Sequence, residues 1–140
     1  KMSSEAIVQN YHKDAVSAMR AYKKLAEKAI AQLKEEEFFV TLDEEANSVA
    51  VVMKHMAGNM LSRWTDFLTT DGEKPNRNRD MEFVIGPETT KASLLAYWEK
   101  GWACLFDALE RMSAFHPLRT LRPLSAGQPH QCLLWEESRR

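Results

Sequence analysis

A chain of 140 residues with a formal net charge of -1, 44% hydrophobic and 28% charged, reads as one globular domain large enough to build its own core. The balanced charge argues against a surface for nucleic acid or anionic lipid, and no apolar run approaches the ~18 residues needed to span a bilayer. The opening KMSSEAIVQNYHKD has no apolar middle of the kind a signal peptide carries, so a cytoplasmic location is expected. Cys104 and Cys132 are too few and too far apart for a disulfide framework or a zinc pattern, and Cys104 reads as a plain buried thiol among apolar neighbours.

Residues from about 3 to 35 predict one long helix. Ile7, Tyr11, Ala15, Ala18, Tyr22, Leu25, Ala29 and Leu33 recur at spacings of three and four, which places them on one face. Ser3 or Ser4 can cap the start, and His12 sits beside the apolar face as a solvent-edge histidine. A connector, EEEFFVTLDEEAN, follows, in which Phe38 and Phe39 tuck under the end of a bundle. Its acidic clusters read as solvated charge, since they lack the spacing of a calcium loop.

A second helix is predicted from about 48 to 68, capped by Asn47 or Ser48, with Val49, Met53, Met56, Met60 and Phe67 as its core face. Ala57-Gly58 would let another helix approach closely. His55 falls off the core face, on a polar stripe with Ser48, Asn59, Ser62 and Asp66, and such a stripe is usually solvated. The connection 69–89 is long and broken by Asp71-Gly72, Pro75 and Gly86-Pro87. Its Arg77 and Arg79, with Arg63, can either grip an anion or pin the loop through Arg–Asp pairs.

A third helix, from about 90 to 112, carries Leu94, Trp98, Trp102, Leu105, Leu109 and Met112 on one broad stripe. Its two tryptophans fit either a packed core or the wall of a ligand cavity. After residue 113 the pattern stops. Pro117, Pro123 and Pro129 punctuate the remainder, and no fourth amphipathic helix of useful length can be drawn there.

The run KHMAGNM (54–60), a histidine followed closely by Gly-Asn, and the run RWTDFLTTDG (63–72) resemble a bacterial domain-of-unknown-function subgroup of the DinB/YfiT-like superfamily. The resemblance covers roughly residues 5–113, including LLAYWEKGW on the third helix. It implies an all-α fold, a four-helix bundle that is commonly dimeric. It also implies a divalent metal, zinc or nickel, on three histidines. His55 matches the histidine of the second helix; the other two come from a His-x-x-x-His pair on the fourth. Relatives of that kind include thiol transferases and isomerases acting with low-molecular-weight thiols.

This chain has no His-x-x-x-His, and its remaining candidates, His116 and His130, lie in the proline-rich tail. The Leu-Ser-Ala-Gly run at 124–127 is what another reading frame of an Ile-Arg-Gly codon run can give, so the tail reads as a frameshifted or otherwise aberrant terminus. The expectation is therefore a bundle over 1–113 with three long helices, the fourth missing or replaced by an irregular tail over 114–140. Ancestrally it is a metal-dependent thiol transferase or related small-molecule enzyme, with metal binding impaired for want of two ligands. The alternative is a non-enzymatic helical dimerisation or interaction module.

Overall fold

The structure, a computed structural model, describes residues 3–114. His116, His130 and Cys132, and the expected irregular tail, lie outside them. Among the described residues every regular element is helical: α1 (Ser4–Ile30), α2 (Glu35–Phe38), α3 (Val49–Trp64), a single 3-10 turn (Asp80–Phe83) and α4 (Lys91–Ala114). None of these helices is long and apolar enough to cross a membrane.

The caps fall where the sequence places them. Ser3 accepts from the Ala6 amide and Ser48 from the Val51 amide, each satisfying an amide that the first helical turn leaves unpaired. The first helix is shorter than expected, α1 stopping at Ile30, and the expected connector carries a short helix of its own, α2, from Glu35, where the Glu37 carboxylate accepts from the Lys34 amide at 2.8 Å. α3 is shorter than the pattern suggests. It ends at Trp64 because Thr65 turns extended and Asp66 takes a left-handed φ of 48°, after which the Thr69 and Thr70 amides both bond the Asp66 carbonyl. α4 is the predicted third helix.

α4 is the central element. Ala57 meets Gly101 and Thr65 meets Cys104, so α3 runs parallel to it. His12 meets the Leu109 carbonyl, Lys23 meets Glu99 and Leu33 meets Lys91, so α1 runs antiparallel. The α3–α4 approach is close because residue 101 has no side chain: a Cβ there would lie 3.0 Å from the Ala57 Cα. Met53, Met60, Trp98, Trp102 and Leu105 fill the core around this contact. The tryptophans are packed core, edge-to-face at 5.5 Å, with Phe106 stacked on Trp102. Phe38 is fully buried under the bundle's end, as expected.

α1 presents a different face from the one its apolar periodicity suggests. The side turned to α4 carries Val8, His12, Val16, Lys23, Ala26 and Ile30, all half-buried or buried. Polar contacts do much of the docking there. Lys23 pairs with Glu27 and Glu99, Arg20 lies over the Phe106 ring at 4.5 Å, and the imidazole of His12 bonds the Leu109 carbonyl at 2.7 Å rather than sitting at a solvent edge. The Ile7-Tyr11-Tyr22-Leu25 stripe lies about a third of a turn round the helix and is exposed. Beside it, α1 and α3 leave an open apolar groove of about 220 Å³, lined by Ala26, Ala29, Ile30, Val52, Met53 and Met56.

Candidate functional site around His55

Part of the polar stripe of α3 is covered: the 69–89 connection folds back over His55 and Ser62, and bonds from this side of the helix hold the loop. Ser62 donates to the Gly72 carbonyl at 2.6 Å and accepts from the Lys74 amide, and is 6% exposed. Lys54 donates to the carbonyls of Met81 and Val84 at 2.7 and 2.5 Å, which ties the 3-10 turn to the middle of α3.

That turn delivers a carboxylate to His55. Glu82 is 6% exposed, and its Oε2 lies 2.8 Å from the His55 Nδ1. Arg77, itself nearly buried, grips the same carboxylate with two parallel bonds, Nε to Oε1 at 2.8 Å and Nη2 to Oε2 at 3.0 Å. This is the planar two-point match that guanidinium and carboxylate make. Arg77 also bonds Glu73, which accepts from Arg63. Arg63 and Arg77 are thus loop pins, as one of the two readings has it, with glutamates rather than aspartates as acceptors.

Gly58 is what admits the carboxylate. A Cβ on residue 58 would stand 2.5 Å from the Glu82 Oε1 and 2.7 Å from its Cδ. The helix-to-helix contact expected of Ala57-Gly58 is made by Ala57 alone, against Gly101; Gly58, one position on, faces the loop. The spacing of the His-x-x-Gly run now has a physical cause: residues three apart share a face, so His55 meets the carboxylate and Gly58 makes room for it.

The electrostatics follow from this geometry. Burial alone would push the Glu82 carboxyl up, but the bonds from Arg77 and His55 outweigh it and hold it below the ordinary carboxylate range. The bond to Glu82 raises Arg77 in turn. An ionised carboxylate only accepts, so Nδ1 of His55 carries the proton it donates, and in the neutral ring Nε2 keeps its lone pair. The Phe83 ring lies over the imidazole at 4.7 Å, tilted 30°, and fixes its plane. Tyr97, on α4, is pushed up by burial and by the charge of Glu82, which marks the α4 side of the same pocket of charge.

The chain matches the family described as "Protein of unknown function (DUF1572)" over residues 6–131. It belongs to the DUF1572 family. The match takes in α1, α3, the His55–Glu82 contact and α4, and continues through residue 131. No functionally curated protein and no solved structure matches the chain.

Within the described residues of this DUF1572 protein, His55 is an imidazole oriented by a buried carboxylate. Among the described residues no three His, Cys, Asp or Glu side chains come together to hold an ion. The nearest carboxylate, Glu82, is already engaged with Arg77. A second cleft, about 270 Å³, lies at the far end of α3 between the 64–69 turn and α4, where the half-buried Cys104 touches Thr65 at 3.4 Å. His55 does not line it. Glu82 was not a candidate on sequence grounds; the available signal was a single carboxylate inside the apolar run Met81-Glu82-Phe83-Val84-Ile85.

Proposed function

We propose that this DUF1572 chain is similar to the DinB/YfiT-like proteins and that His55 serves as one donor to a divalent cation, zinc or nickel. Thiol transfer or a related small-molecule reaction is its ancestral chemistry. One observation carries the reading: the buried Glu82 carboxylate on Nδ1 of His55. Metal-ligating histidines characteristically give their second N–H to a carboxylate, which fixes the ring and raises the basicity of the free nitrogen. A cation bound there would lower the pKa of a coordinated thiol or water and supply a nucleophile.

The described residues meet the orienting requirement and not the donor count. Catalytic zinc takes three protein ligands, so binding through His55 alone is weak. Titration calorimetry of the full chain with zinc and with nickel tests the reading. The expected result is a binding heat in the parent that His55→Ala lacks. No heat in either, or the same heat in both, removes His55 as a ligand.

A second reading, a helical interaction module, is favoured by a separate observation. Ile7, Tyr11, Tyr22 and Leu25 form an exposed apolar stripe along one helix, which is a feature of partner surfaces.

A further inference from the structure

The connection that folds over α3 is fastened at two places. Ser62 holds the near end, donating to the Gly72 carbonyl and accepting from the Lys74 amide. Lys54 and His55 hold the far end, at Met81, Glu82 and Val84, where Gly58 leaves room for the Glu82 carboxylate. We propose that residues 72–84 are a strap that opens and closes on α3 as one unit, and that His55 is a competent donor only while the strap is closed, the second part resting on the reading of His55 as a cation ligand.

The hold is mostly polar. Met81, Phe83 and Val84 are 52, 42 and 50% exposed, so closing the 3-10 turn hides none of its apolar side chains completely. The Arg63–Glu73 pair, both side chains more than half exposed, adds little. The buried ion pair does not resist opening either. Arg77 and Glu82 both belong to the strap, so the pair leaves α3 intact and regains the water that burial took from it. What crosses from this pair to the helix is the bond between Glu82 and His55, which makes that bond the latch.

The strap is also tied to itself. Arg77 bonds Glu73 on one side and Glu82 on the other, which couples the end held by Ser62 to the end held by His55. Beyond both ends the chain is fixed: the Thr69 and Thr70 amides bond the Asp66 carbonyl, and Ile85 packs on the core. Opening takes from His55 both the carboxylate that holds its Nδ1 proton and the Phe83 ring that fixes its plane. The imidazole is then free to turn, and Nε2 is no longer presented. By linkage, whatever engages Nε2 favours the closed strap by the same factor that closure adds to its binding.

Residue-resolved hydrogen exchange on the full chain tests this. The hydrogen-bonded amides of Lys74, Arg77, Glu82 and Val84 report the strap, since turns this short do not keep their bonds once unsupported. The amides of α3 and α4 are the reference. The four strap amides should share one protection, lower than that of the helices. Ser62→Ala, at one end, should lower all four by a common factor and leave the reference unchanged, and Lys54→Met, at the other end, should do the same. If Ser62→Ala releases Lys74 alone, or if the strap amides exchange only together with the helices, the unit is overturned. Zinc should slow the four amides in the parent and leave them unmoved in Glu82→Ala. A zinc-binding heat that His55→Ala abolishes, with strap exchange unchanged by zinc, overturns the coupling and leaves His55 as a ligand. No heat in the parent removes the ligand and the coupling together, and the two variants alone then decide whether the strap opens as a unit.

Discussion

Gly58 and Glu82 occupy one space: the carboxylate of the loop sits where a side chain on residue 58 would begin, 2.5 Å from an ideal Cβ. Gly58→Ala is therefore expected to destabilise the fold even though alanine gains about 1 kcal/mol over glycine in a helix. The obstacle is held on two sides, by Arg77 and His55, and cannot swing clear without breaking charge-assisted bonds. Overpacking of this kind costs about 1–3 kcal/mol, so a net loss of up to about 2 kcal/mol is expected in urea unfolding. A stabilised Gly58→Ala would mean the carboxylate is not seated there in solution.

Arg77 is the counter-charge that makes the burial of Glu82 tolerable. Arg77→Met leaves the carboxylate with only the His55 N–H as partner in a nearly closed site, and removing one member of a buried ion pair costs about 3–5 kcal/mol. Replacing both, Arg77→Met with Glu82→Leu, is expected to recover much of that loss, because the desolvation of both charges disappears with the pair. A double-mutant cycle read by chemical unfolding checks this. Additive losses would show that the two groups do not depend on each other.

The same pair fixes an acid limb. Glu82 is depressed in the folded chain, so its share of stability is fully present above the ordinary glutamate value of 4.5 and is lost as pH falls from there toward the folded value. Melting temperature should fall below about pH 4.5 in the parent, and more gently in Glu82→Gln, which starts less stable but has no carboxylate to protonate at that position. Parallel acid limbs in the two proteins would place the depressed carboxyls elsewhere.

Helix positions were legible in the sequence because periodicity and caps are local: Ser3, Ser48 and the Leu94–Leu109 stripe mark their elements directly. Faces were less so. A helical wheel sorts residues by likeness and says nothing of what covers them. The stripe of α3 reads as solvated because Ser62 and His55 are polar, yet their partners are a loop carbonyl and a loop carboxylate 10 and 27 residues away. The face of α1 was misread for the opposite reason. Its docking onto α4 uses Lys23, Arg20 and His12, which a pattern search assigns to water. The His-x-x-Gly run pointed to the right place, but its reason, a carboxylate from the 3-10 turn, is a tertiary contact that spacing alone cannot show.

Two glycines on facing helices offer a final contrast. At Gly58 the obstacle to a Cβ is a side chain; at Gly101 it is backbone, with the Ala57 Cα at 3.0 Å and its carbonyl oxygen at 3.2 Å. Glu82→Ala clears the first obstacle. In that background Gly58→Ala should change sign and stabilise the chain by about 1 kcal/mol, the bare helix preference. No side-chain substitution on α3 clears the second. Gly101→Ala is expected to cost about 1–2 kcal/mol in the parent and in Met60→Ala alike, since the two helix axes must separate and the tryptophan core between them loosens. Unfolding curves for these five variants and the parent separate the cases. If Met60→Ala rescues Gly101→Ala, the limiting contact is the methionine methyl at 3.1 Å and not the helix backbone.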